Sequence, residues 1–177
     1  MQKTFRSSQT AGFLFTAVLG TFLHFLFELA GECSAAALFS AVNESIWEHM
    51  KLLYYPMVLF ALYQYRAWGR EVPGFWCVKG AGLALGLTLF PVIYYTYTGI
   101  LGTSADWFNI SIFFLAAGAA FFLEHRLLED GAVCRVKNGW AVFLILLTGT
   151  LFVFFTFFPP EIPFFRDPIT GTYGFQQ

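Results

Sequence analysis

The sequence predicts an all-α fold: a five-helix transmembrane bundle with its N-terminus in the cytoplasm and its C-terminus outside. Three observations lead there. Of the 177 residues, 58% are hydrophobic and only 12% are charged, against about 25% charged in ordinary soluble domains. The mean hydropathy is +0.63, too high for a soluble protein of this size to hide. Lastly, Lys3 and Arg6, Arg66 and Arg70, and Arg126, Arg135 and Lys137 all fall on one side of the expected spans, while the opposite loops, 31–41 and 99–106, contain no Lys or Arg. That asymmetry sets orientation. The expected partner is the lipid bilayer. A net charge of −1 offers no global field to recruit nucleic acid.

The first helix is expected over 11–30. About twenty residues at 1.5 Å each cover a hydrocarbon core of about 30 Å. The run is long for a signal peptide and contains His24 and Glu28, so it reads as a retained span. A small-residue connection follows, and the second helix is expected over 42–66, with Pro56 freeing a carbonyl one turn earlier. The third, 75–97, carries Gly82 and Gly86 in a spacing that lets another backbone approach. Tyr94, Tyr95 and Tyr97 suit a membrane interface. The fourth, 107–127, has a second small-residue surface at Ala116, Gly118 and Ala120 and ends at Glu124-His125-Arg126, read as a cytoplasmic helix end. The fifth, 140–158, is almost purely apolar and stops at Pro159-Pro160, leaving a polar tail over 159–177. Residues 1–177 thus form a single membrane domain. Cys33, Cys77 and Cys134 show no metal-binding spacing.

The polar residues collect near the outer face. His24 and Glu28 stack four apart on the first helix, as do Glu44 and Glu48 on the second, with Lys51 three beyond Glu48. Asn43, Glu44, Trp47, Glu48 and Lys51 share one broad helical face, from which His49 points away unless the helix start is irregular. Asp106 and Asn109 open the fourth helix, and Arg166, Asp167 and Tyr173 lie in the tail. That tail is expected to fold back as a cap over the outer mouth.

Ionisable groups at membrane depth are by default functional. Glu44, Glu48, Lys51, Asn43, Asp106 and Arg166 are candidates to bind or translocate a small cation or polar solute. His24, Glu28 and His49 are candidate ligands for a divalent metal, because carboxylate-rich sets with imidazole suit zinc, iron or manganese. One alternative is a metal-dependent intramembrane hydrolase, whose nucleophile would be metal-bound water. Another makes the cluster structural glue between helices of a membrane subunit. No internal repeat supports a self-contained alternating-access transporter, so transport would call for a homo-oligomer or a membrane partner subunit. Haem ligation by His24 and His49 lacks a supporting second histidine pair.

Two stretches carry a resemblance. The block Asn43-Glu-Ser-Ile-Trp-Glu-His-Met-Lys-Leu52 and the tail Arg166-Asp-Pro-Ile-Thr-Gly-Thr-Tyr-Gly174 resemble a family of small membrane proteins from Firmicutes-type bacteria known only as a domain of unknown function. The resemblance implies a multi-pass protein of the bacterial cytoplasmic membrane. It implies no activity, substrate or cofactor.

Overall fold

A computed structural model describes residues 2–129 and 136–176; the side chains of residues 2–5 and of Asp106 lie outside the described set. The described residues form six α-helices: α1 (Gln2–Leu29), α2 (Ser34–Ala37), α3 (Ile46–Ala67), α4 (Phe75–Leu101), α5 (Asp106–Glu129) and α6 (Asn138–Phe157). Short 3-10 turns occupy Gly69–Glu71 and Pro163–Phe165. No strand is present among the described residues, only one isolated antiparallel bridge between Arg166 and Tyr173.

Segments in α1, α4, α5 and α6 are long and apolar enough to cross a membrane: Arg6–Leu29, Phe75–Leu101, Trp107–Glu129 and Asn138–Phe157. The chain is therefore a multi-pass membrane protein in contact with the bilayer. Five such helices are expected from the sequence, and α3 departs from that expectation. It carries Glu48, Lys51 and Arg66 and is not among the four. The reason lies in its position. α3 packs against α1, α4 and α6, and its Glu48, Lys51 and Gln64 are buried, so these groups meet protein rather than hydrocarbon. The main core is built around it: Met50, Leu53, Tyr54, Met57 and Phe60 meet side chains of α4, α5 and α6.

Local chemistry sets the helix ends. The second long helix starts at Ile46 rather than 42, because Ser45 adopts an extended conformation and its hydroxyl accepts from Glu48 N at 3.3 Å, an N-cap. α4 runs on to Leu101 and stops where Gly102 turns left-handed at φ 69°, the usual helix C-terminal signal. The two small-residue surfaces do meet: a Cβ on Gly86 would lie 3.3 Å from Ala120 Cβ and 3.4 Å from Ala116 O. Gly118 instead faces Phe13 of α1.

The tail folds back onto the bundle. Phe175 N donates to Thr156 O at 2.7 Å, and its ring packs on Phe27 and Phe157. Asn43 Nδ2 donates to Gly174 O at 3.3 Å. Asp167, buried, holds its own turn by accepting from Ile169 N, Thr170 N and the Thr170 hydroxyl.

Candidate functional site

Three elements bring one polar trio together. α1 carries His24, α3 carries His49, and the non-helical approach to α3 carries Glu44. That approach is shaped by its neighbours. Asn43 Oδ1 accepts from Ser45 N at 3.0 Å, and Ser45 then caps α3. Glu44 is held outside the helix, so helical spacing does not govern it. On a continuous helix, residues five apart would diverge by about 140°. Here the Glu44 carboxylate turns to His49, with Oε2 3.3 Å from Nε2. Its other oxygen lies 3.9 Å from His24 Nε2, and the two imidazole centroids are 5.3 Å apart. His49 therefore joins Glu44, against the expectation of opposed faces, and the cause is the irregular helix start.

The orientation of His49 is fixed from behind. Its Nδ1 lies 3.0 Å from Ser45 O. A carbonyl only accepts, so Nδ1 carries the proton. In the neutral ring Nε2 is then left with its lone pair toward Glu44 and His24. Metal-ligating histidines are typically held by such an N–H to a carbonyl. Glu44 is half-exposed, and its carboxyl is held below the usual carboxylate range chiefly by the hydrogen bond to His49; partial burial opposes this, and the nearby charges of His49 and His24 add to it.

One donor atom from each of the three residues lies within 4.8 Å of the others. Tetrahedral zinc with ligands at about 2.0–2.1 Å holds them about 3.3 Å apart. The His49–Glu44 pair already has that separation, and His24 Nε2 lies 3.9 Å from the other Glu44 oxygen. Two imidazoles and one carboxylate would give a tetrahedral ion three ligands and leave a fourth position open.

The trio stands on the wall of a cavity of about 530 Å³, within the range of small-molecule sites. Ser104 and Asn109 add polar groups to its lining, and Pro168 and Ile169 bring the tail to it. Tyr97, one helix over, donates its hydroxyl to Asn109 Oδ1. Lower down, Gly20 lies against α3. A Cβ there would sit 2.6 Å from Leu52 O and from the Phe113 ring. Leu52 O is the carbonyl that Pro56, lacking an N–H, leaves without its helical donor, and both Gly20 and Leu52 line the cavity.

The other expected site residues go elsewhere. Glu48 and Lys51 form a fully buried ion pair at 2.5 Å. Lys51 Nζ also donates to Ala37 O at 3.0 Å and Thr156 Oγ1 at 2.9 Å. Glu48 accepts from the Thr156 hydroxyl at 2.9 Å and from Val42 N at 3.1 Å. This network ties α2, α3 and α6 together and does not line the cavity. Glu28 is exposed and outside the trio; Glu44 occupies the carboxylate position assigned to it. Asn43 serves the helix start and the tail. Arg166 is exposed, beside Gly171, and is not among the residues lining the cavity. The Asp106 side chain lies outside the described residues. Trp47, placed by helical spacing on the face of Glu48 and Lys51, packs among Phe152, Phe155, Phe164 and Phe165.

A second buried pair escapes the sequence reading. Lys79 of α4 meets Glu124 of α5 at 2.5 Å, both buried. Gly82 makes room, since a Cβ there would lie 2.5 Å from Glu124 Cγ. The signal was a lysine inside an apolar run, which requires a partner. Glu124, read as part of a cytoplasmic helix end, becomes that partner only when α4 and α5 run antiparallel.

No curated protein and no solved structure matches the chain. A family model does match, over residues 5–175, and it is that of the Family of unknown function (DUF6512). The polar trio, the cavity and the folded-back tail all lie within that span, and the chain belongs to the DUF6512 family.

Proposed function

We propose that this protein binds a divalent transition-metal ion through His24, Glu44 and His49, in the outer half of a five-span bundle of the bacterial cytoplasmic membrane. α3 is the fifth span, shielded by its neighbours. The N-terminus is cytoplasmic and the C-terminus external, on the strength of the lysine and arginine distribution. The single observation that carries the metal reading is the convergence of three ligand atoms within 4.8 Å, with Nε2 of His49 aimed by the bond behind it. The cation-binding role thus falls to Glu44, while Glu48 and Lys51 hold the helices. A position left open beside a cavity also supports the hydrolase reading, because metal-bound water is a nucleophile at neutral pH.

Zinc content of the detergent-purified protein tests the metal reading. Wild type and Glu28→Gln are expected to hold zinc near one equivalent. His24→Ala, His49→Ala and Glu44→Gln are expected to lose it while still folded by circular dichroism. Retention of zinc in all three variants, or its absence from the wild type after zinc loading, refutes the site.

A further inference from the structure

The polar and apolar parts of the cavity are separated along the bundle axis. His24, Glu44, Asn109 and Tyr94 lie toward the outer helix ends, whereas Gly20, Leu52, Phe90, Ile112 and Phe113 lie one or more turns deeper. Below the trio, Leu52, whose carbonyl has no helical donor because of Pro56, is also part of the lining. A fully polar solute would leave this lower chamber unmatched.

The walls also face the bilayer. Thr21 and Phe25 of α1 and Ile110 and Phe114 of α5 both line the cavity and are exposed. They lie within the candidate spans Arg6–Leu29 and Trp107–Glu129, so with these helices across a bilayer the surface beside them would meet lipid. An occupant can enter sideways from the membrane.

Charge decides its head group. A divalent ion with one carboxylate and two neutral imidazoles carries a net +1. Among the described residues, no lysine or arginine lines the cavity. A metal held there would thus be the counter-charge the lining offers to an anion, and its open position would be free for a head group.

We propose that the cavity takes an anionic single-chain lipid, its carboxylate or phosphate head on the metal at His24, Glu44 and His49 and its chain in the apolar chamber between α1, α3 and α5. This rests on the metal reading above.

The test uses the full chain in detergent, zinc-loaded, with a diazirine-bearing palmitate as probe and labelled peptides mapped by mass spectrometry. Labelling is expected on α1 and α5 around Thr21, Phe25, Ile110 and Phe114. Stripping zinc with EDTA is expected to lower it about ten-fold, the order carried by one charge-assisted contact. Unlabelled palmitate or a lysophosphatidate should compete, and the better competitor identifies the head; palmitate methyl ester should not compete. Thr21→Trp, placed on the exposed wall, should block labelling at unchanged zinc content. Zinc bound but labelling indifferent to EDTA, to Thr21→Trp or to the loss of the ester's charge overturns the lipid proposal and leaves the metal site standing. A wild type that holds no zinc overturns the metal site itself, and palmitate labelling without zinc would then contradict the head-on-metal arrangement.

Discussion

The Glu44 carboxylate lies 3.3 Å from Nε2 of His49, while the opposite nitrogen of the same ring is bonded to Ser45 O at 3.0 Å. With both nitrogens bearing protons, the ring bridges a carbonyl and a carboxylate. In the proposed metal site the Nε2 proton would have to leave before its lone pair could serve as a ligand. Proton and metal would therefore compete for one atom. Zinc affinity is expected to fall as pH drops through the histidine range, with proton release on binding. Isothermal titration in buffers of different ionisation enthalpy reads that release directly; binding with no proton released at low pH would contradict the competition.

Glu44 makes its own prediction on stability. Its folded-state value lies below the ordinary one, owing first to His49. A lowered carboxyl adds stability that is complete above its unfolded value and is lost as pH falls through its folded value. The Tm gap between wild type and Glu44→Gln, measured without metal, should be widest above about pH 5 and close in more acidic buffer. A gap that widens with acidification would reverse the assigned sign.

The Glu48–Lys51 pair has its charges and hydrogen bonds satisfied by α2, α3 and α6. Removing one partner leaves a buried charge, which costs about 3–5 kcal/mol. Lys51→Met alone should therefore lower the Tm sharply. Lys51→Met combined with Glu48→Leu should recover much of it, since apolar replacement of both partners of a buried pair is often tolerated. Thermal melts of the singles and the double form the cycle; strict additivity would mean the two residues do not act as a unit.

At the other buried pair, Gly82 is the sensitive position. A methyl there would collide with a Glu124 side chain that Lys79 holds at 2.5 Å. Gly82→Ala is expected to cost about 1–3 kcal/mol, as overpacking does, whereas Gly99→Ala, with open space around it, should change little beyond its helix propensity. Equal melting shifts for the two substitutions would show that Glu124 yields freely.

Orientation has a direct probe. Cys33 is exposed and follows α1. A membrane-impermeant maleimide should label it on intact cells. Labelling that requires lysis would invert the proposed topology.

Much of the fold was legible because apolar length and charge asymmetry are local properties of a chain. The five long helices, their order and the return of the tail follow from runs such as 140–158 and stops such as Pro159-Pro160. Helix ends were less legible. Ser45 capping moved one start by four residues, and Gly102 extended α4 past Tyr97.

His24, Glu44 and His49 could all be named as candidates from their residue types and their place toward one end of the bundle. Their grouping could not. Glu28 and Glu44 are equally acidic in sequence, and only the packing of α1 against the irregular 43–45 segment turned one outward and the other onto the imidazoles. Likewise Glu48 and Lys51 share spacing with Glu44, yet Thr156 from α6, more than a hundred residues away, drew them into the core.

By itself, the sequence determined that the chain enters a membrane and which polar side chains had to find partners, since those follow from transfer energies summed residue by residue. Which partner each one found was decided by tertiary structure. A buried charge is satisfied by whichever group the packed helices bring within about 3 Å, and that distance depends on caps, close-approach glycines and antiparallel register. These joined Lys79 to Glu124 and set His49 beside Glu44 at the edge of an apolar cavity.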